Sequence, residues 1–169
     1  LSPLQSAFIQ RLAAPGRRMI MRNFPYTEND CDIYRIQSLP KASYYNAREY
    51  LQSRQVGFPA KYNAAIHALL SPASHTVFLA GSCGLELFNN LKLPANLLSH
   101  ISVFAYGPVA RRRPDTHHQL IQGNRDVISK LWFRRTDVQI AAGHLDYLSQ
   151  PELVAHCEDF LRLIESGNR

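Results

Sequence analysis

Cysteine is scarce in this chain, which has Cys31, Cys83 and Cys157 among 169 residues. Their odd number and wide spacing argue against a disulfide framework and against a zinc site, and they favour a reducing compartment. No apolar run approaches the roughly 20 residues of a membrane span, and no signal-peptide pattern opens the sequence. We therefore expect a cytoplasmic protein with no metal, no cofactor and no membrane partner.

Charged residues are also few, at 19%, whereas hydrophobic residues make up 46%. This balance is typical of an ordinary globular protein and excludes a disordered one. A length of 169 residues predicts a single domain that covers residues 1–169. A chain of this size buries about 70% of its unfolded surface, so it needs no disulfide or metal to fold.

The net charge is +6, and arginines occur in two pairs and one triplet. Nucleic-acid binders cluster such residues on one face, with aromatic residues between them. Here the arginines fall at the ends of predicted elements and are scattered along the chain. We therefore expect solvated surface cations rather than a nucleic-acid partner, although the charge favours anionic ligands.

Four short apolar runs in the second half each end in glycine: "HTVFLAG", "HISVFAYG", "HQLIQG" and "DVQIAAG". They lack the alternation of a half-exposed antiparallel sheet, which indicates strands buried on both faces. Helical segments separate some of them, and a fifth strand is predicted at Arg17 to Phe24. The pattern predicts an α/β fold, with a mostly parallel sheet and helices on both faces.

Candidate catalytic residues follow three of these runs. Ligands bind beyond the carboxyl ends of the strands in an open parallel sheet. The first run is followed by Cys83, the third by Asp126 and the fourth by His144. The order along the chain is therefore nucleophile, acid and histidine, all at one edge of one sheet.

Three stretches then resemble the α/β-hydrolase superfamily. The first is "GSCGL", similar to the strand-to-helix turn G-x-S-x-G that exposes the nucleophile in that family. The second is "LIQGNRDVI", similar to the turn that carries the acid. The third is "AAGHLDYLSQPELVAHCEDFL", similar to the C-terminal block that carries the histidine. The resemblance implies a small hydrolase without a cap domain, with cysteine at the nucleophile position.

Carried over to this sequence, the resemblance implies that Cys83 is the nucleophile and His144 the general base. Asp126 would orient the histidine, and the backbone N–H of Gly84 would stabilise the oxyanion. A thiol in the first helical turn beside a histidine has a lowered pKa, and its thiolate attacks carbonyl carbon. Two other interpretations stay open: Cys83 as a small, inert turn residue, and Asp126 as a helix N-cap, either instead of or beside its role as the acid.

The sequence departs from the family pattern at three points. Leu85 stands where the family has the second glycine of the turn. Only 18 positions separate Asp126 from His144, fewer than we expect. The N-terminal strands of the family, and with them the loop that gives a second oxyanion donor, are expected to be missing or to lie upstream of Leu1.

The expected substrate is a small-molecule acyl ester or thioester. Only "GPVARRRPDTH" stands where the family inserts a cap, which predicts an open site with Arg111, Arg112 and Arg113 at its rim. A basic rim suits an acyl group on an anionic handle such as phosphopantetheine, whereas the competing interpretation is that these arginines are merely solvated. The sequence thus predicts an esterase or thioesterase. The alternative is a catalytically inactive hydrolase-fold protein that binds a ligand or a partner.

Overall fold

The structure is a computed structural model that describes residues 1–24 and 39–167. Cys31 lies outside the described residues. Among the described residues, no helix is both long and apolar enough to cross a membrane. In chain order, the helices and strands are α1 (Pro3–Arg11), α2 (Leu39–Ser53), α3 (Phe58–Leu70), β1 (Thr76–Gly81), α4 (Gly84–Asn90), α5 (Ala95–Leu98), β2 (Ile101–Tyr106), β3 (His117–Gly123), α6 (Val127–Trp132), β4 (Val138–Ile140) and α7 (Pro151–Glu165).

The four apolar runs form one parallel sheet in the order β1-β2-β3-β4. Ala80 of β1 lies opposite Ala105 of β2, and Gly123 of β3 lies opposite Ile140 of β4. The predicted α/β class is therefore confirmed. Because all four strands run in the same direction, their carboxyl ends and the loops that follow them meet at one edge.

Hydrophobic cores cover both faces of this sheet. Alternate residues of β2 point to opposite faces, as the period of two in a strand requires. Phe104 packs in a core with residues of α1 and α7, whereas Val103 and Ala105 pack in a second core with residues of α3 and α4. All three side chains are fully buried. This explains why the runs show no alternation of apolar and polar residues.

The predicted strand at Arg17 to Phe24 is wrong, because these residues have no strand pairing in the structure. Side chains fix this segment instead. The Arg17 guanidinium contacts Glu158 at 2.9 Å and Glu165 at 2.6 Å, both on α7. The Phe24 ring packs against Phe78 of β1 with 5.6 Å between centroids. The apolar residues that suggested a strand therefore pack as an irregular segment beside β1.

Candidate active site

Ser82 occupies a strained turn between β1 and α4. Its φ is +50°, a left-handed conformation that residues other than glycine seldom adopt. The end of β2 and the loop that follows it hold the turn in place. The N–H of Ser82 donates to the carbonyl of Tyr106 at 3.1 Å, and the N–H of Val109 donates to the carbonyl of Ser82 at 3.0 Å. Strain of this kind clusters at functional sites, where the surrounding structure enforces it.

Small residues around Ser82 permit this tight turn. A Cβ on Gly81 would lie 2.7 Å from the ring of Tyr106, closer than real Cβ atoms approach, so no larger residue fits there without a shift. A Cβ on Gly84 would meet the Cβ of Ala80 at 3.8 Å, which is ordinary contact. The turn is therefore Ala80-Gly81-Ser82-Cys83-Gly84, with Ser82 at its centre and small residues two positions away on either side.

His144 connects Ser82 to Asp126 across the carboxyl edge of the sheet. Its Nε2 lies 3.1 Å from the hydroxyl oxygen of Ser82, and its Nδ1 lies 2.9 Å from Oδ2 of Asp126. A carboxylate next to Nδ1 keeps the proton on that nitrogen, which leaves Nε2 free to accept the hydroxyl proton of the serine. The 18 positions between Asp126 and His144 are therefore sufficient for contact.

Asp126 is both the partner of His144 and the N-cap of α6. Its side chain is fully buried, and its Oδ1 accepts the N–H of Ser129 at 2.9 Å. Burial by itself would raise the pKa of the Asp126 carboxyl. The hydrogen bonds from Ser129, from the hydroxyl of Tyr147 and from His144 outweigh burial and lower this pKa. The carboxyl is therefore an anion at neutral pH, as a group that orients a histidine must be.

Tyr147, which the sequence analysis missed, completes the surroundings of Asp126. Its hydroxyl donates to Oδ2 of Asp126 at 2.6 Å and accepts the N–H of Gly123 at 2.6 Å. The buried ring fits a slot between two glycines, since a Cβ on Gly107 would lie 2.7 Å from the ring and one on Gly123 would lie 3.1 Å from the hydroxyl. The only signal in the sequence is a tyrosine three positions after the candidate histidine.

Replacing Tyr147 by phenylalanine is expected to weaken the site without unfolding the protein. The change removes a charge-assisted hydrogen bond to Asp126, which is worth about 1.5–3 kcal/mol, and it leaves the buried N–H of Gly123 without its acceptor. We expect a loss of unfolding free energy of this size and a roughly tenfold fall in kcat with little change in KM. Denaturant titration and ester hydrolysis measure the two effects.

Tyr106→Phe is the matched control, because its ring lies 5.9 Å from that of Tyr147 between centroids. It removes a tyrosine hydroxyl from the same core. Equal losses of kcat in the two variants would show that the Tyr147 hydroxyl acts only through general packing.

The structure corrects the predicted partner of His144, which is Ser82 rather than Cys83. Cys83 is the residue before α4, and burial raises the pKa of its thiol to about 11, with a smaller contribution from Glu49. The sequence predicts a lowered pKa instead. Cys83 is partly buried, and desolvation disfavours the thiolate more strongly than a backbone hydrogen bond favours it.

The apparent departure at Leu85 disappears when the turn is centred on Ser82. Gly84 then occupies the position of the second glycine, and Leu85 is a fully buried residue of α4 in the second core. The prediction that the N–H of Gly84 stabilises an oxyanion stays a prediction. The residue that follows the serine beside His144 is Cys83.

Each of the three arginines at the predicted rim pairs with a different carboxylate. Arg111 pairs with the buried carboxylate of Glu86 at 2.8 Å, and its backbone N–H donates to the same carboxylate at 3.0 Å. Arg112 pairs with Asp115. Arg113 contacts Asp137 at 2.8 Å, just before β4 begins and thus at the opposite end of that strand from His144. These ion pairs anchor the loop after β2. They favour the interpretation in which the arginines do not bind an anionic part of a substrate.

A cavity of about 870 Å³ flanks β1, between α1 and the segment Arg17 to Phe24. Cys83 lines this cavity, whereas neither Ser82 nor His144 does. The cavity reaches Gly81 and Cys83 on either side of Ser82, but its lining does not include the serine, His144 or Asp126. We therefore place the candidate active site at Ser82, His144 and Asp126.

Neither a search of protein-family models nor a search of curated proteins finds a match for this sequence. In the part of the chain that the structure describes, no three side chains of the metal-ligating types lie close enough together to hold a metal ion.

Proposed function

We propose that the protein is a serine-dependent acyl hydrolase that acts on an ester or thioester. One observation carries the proposal: the hydrogen-bonded series from the Ser82 hydroxyl through His144 to the buried Asp126 carboxylate. Ser82 is the nucleophile, His144 the general base and Asp126 the acid that orients the histidine. The order serine, acid, histidine along the chain, each following a parallel strand, is that of the α/β-hydrolases that the sequence resembles.

In the first step, Ser82 attacks the carbonyl carbon of the substrate while its hydroxyl proton moves to Nε2 of His144. The Asp126 carboxylate stabilises the imidazolium that forms, because it contacts Nδ1 at 2.9 Å. The carbonyl oxygen becomes an oxyanion, and the N–H of Cys83 is the donor nearest in sequence to stabilise it. The carbon–oxygen or carbon–sulfur bond to the leaving group then breaks, and the imidazolium protonates the departing alcohol or thiol.

In the second step, water hydrolyses the acyl group on Ser82. The water oxygen attacks the acyl carbon while His144 accepts a proton from the water. The ester bond to Ser82 breaks, the serine oxygen regains a proton from His144, and the carboxylic acid leaves. Each residue returns to its starting protonation state, so no cofactor is consumed.

The proposal predicts turnover of an activated ester through an acyl intermediate. With 4-nitrophenyl acetate in excess, we expect an initial burst of nitrophenolate close to one equivalent of protein, followed by slower steady turnover. Stopped-flow absorbance measures the burst. An acetyl thioester of coenzyme A tests whether a thioester is also cleaved. If activated esters and thioesters all remain intact, the alternative of an inactive hydrolase-fold protein is favoured instead.

A further inference from the structure

Helix α6 exposes an unusual amount of apolar side chain. Val127 and Leu131 are 68% and 80% exposed, and Ile128 and Trp132 are 47% and 42% exposed. Residues four positions apart lie on the same side of a helix, so these four side chains form two adjoining rows. Tyr50 of α2 packs against Trp132 with 5.5 Å between ring centroids, which covers only part of the indole. We call this the α6 surface.

The α6 surface adjoins the candidate active site. Asp126 is the N-cap of α6, so the first exposed residue of the helix directly follows the catalytic acid. Leu145, which is 75% exposed, directly follows His144. Because Asp126 and His144 are hydrogen-bonded, Leu145 and the start of α6 are held near each other at the same edge of the sheet.

Three exposed cations accompany the apolar residues of α6. Between positions 127 and 136 the sequence has Lys130, Arg134 and Arg135 and no aspartate or glutamate. All three cationic residues are exposed. Arg125 precedes the helix and pairs with Asp146 at 3.5 Å, so it is not counted with them. The Lys130 ammonium donates to the carbonyl of Asn124 at 2.6 Å and remains exposed. Exposed leucine and tryptophan side chains beside lysine and arginine are typical of helices that lie in the headgroup region of a membrane. Anionic lipids add an electrostatic attraction for each such cation near the surface.

We propose that the α6 surface binds peripherally to membranes that contain anionic lipids. Val127, Leu131 and Trp132 enter the headgroup region, and Lys130, Arg134 and Arg135 lie against anionic headgroups. This differs from the expectation of no membrane partner, which was based on the absence of a long apolar run; a surface contact requires no such run. The proposal does not depend on hydrolase activity, although together the two would place the Ser82 site at the lipid surface.

The test uses the fluorescence of Trp132, the single tryptophan of the chain. The whole protein is titrated with vesicles of phosphatidylcholine containing phosphatidylserine, and with vesicles of phosphatidylcholine alone. We expect the anionic vesicles to shift the emission to shorter wavelength and to reduce quenching by acrylamide, because the indole leaves water. Flotation of the vesicles measures binding independently. Binding should fall as salt is added, since the electrostatic part of the attraction is screened.

Two leucine variants separate the α6 surface from general surface hydrophobicity. Leu131→Glu is expected to weaken vesicle binding about tenfold or more, because it puts an anion into the contact. Leu163→Glu, at a 48% exposed position on α7, is the matched control and should bind as the unchanged protein does. Ser82→Ala should also bind normally, so failure of the hydrolase proposal would not be mistaken for failure of this one.

Three results would overturn the proposal. The first is no spectral change and no flotation with either kind of vesicle. The second is equal binding to both kinds, which would remove the role of the cations. The third is a blue shift that follows protein concentration without lipid, with a dimer in sedimentation velocity that Leu131→Glu abolishes. That result would identify the α6 surface as a contact between two copies of the chain.

Discussion

Ser82→Ala is expected to reduce kcat for ester hydrolysis by about 10⁴- to 10⁶-fold, because no acyl intermediate can form without the serine oxygen. The variant should fold normally, since alanine differs from serine only by the hydroxyl and is not more strained at a φ of +50°. Steady-state kinetics with 4-nitrophenyl acetate measures the loss, and thermal unfolding checks the fold.

Cys83→Ala is the control for this prediction. The thiol has a pKa of about 11 because it is buried, so it is almost entirely protonated at neutral pH and a poor nucleophile. Its removal leaves the backbone N–H that we assign to the oxyanion. We expect kcat to stay within about threefold of the original value. The opposite pattern, with activity lost in Cys83→Ala and kept in Ser82→Ala, would restore the cysteine mechanism.

Asp126→Asn should reduce kcat by about 10³- to 10⁴-fold. The amide carries no charge to stabilise the imidazolium, and its NH₂ group favours the tautomer that puts the proton on Nε2. That nitrogen then has no lone pair with which to accept the serine proton. The same substitution preserves the start of α6, because asparagine is as good an N-cap as aspartate. Kinetics and unfolding therefore separate the two roles of this side chain.

The pH dependence of the unfolding free energy tests whether the Asp126 carboxylate stabilises the folded protein. Because the carboxyl pKa is lowered in the folded protein, its contribution is present above the unfolded pKa of about 3.9 and is lost as pH falls through the folded value. In Asp126→Asn that contribution is absent, so the unfolding free energies of the two proteins should converge in strong acid. If the unfolding free energies differ by the same amount at all pH values, the hydrogen bonds to the Asp126 carboxylate do not stabilise the folded protein.

Most of the fold follows from the sequence because buried parallel strands have a simple signature. Each of the four runs that end in glycine forms a strand, and the glycines at 81 and 123 lie where a side chain would collide with Tyr106 or with the backbone of Ala142. Arg17 to Phe24 shows the limit of that signature. A short apolar run also suits an irregular segment that packs side chains against a neighbouring strand, and periodicity does not distinguish the two.

The structure brings Asp126 and His144 together as the sequence predicts, but Ser82 rather than Cys83 lies beside the histidine. Asp126 and His144 were identified because they follow strands that end at the same edge of the sheet. The predicted partner of His144 differs by one residue because Ser82 and Cys83 are adjacent and the side chains of both can act as nucleophiles. What distinguishes them is which residue takes the positive φ, and spacing alone does not determine this. When the two glycine positions of the G-x-S-x-G pattern are aligned with Ala80 and Gly84, rather than with Gly81 and Leu85, the central position falls on Ser82.

The central claim, that Ser82 is an activated nucleophile, is tested most directly by mapping the adduct of a fluorophosphonate. Phosphorus in this reagent accepts a serine oxygen and releases fluoride, but only when a general base activates the hydroxyl. We expect one phosphonyl group per protein, located by tandem mass spectrometry on Ser82. The adduct should be absent in Ser82→Ala, strongly reduced in Asp126→Asn and unchanged in Cys83→Ala. An unmodified Ser82 in a folded protein, or a label that follows Cys83 instead, would contradict the account.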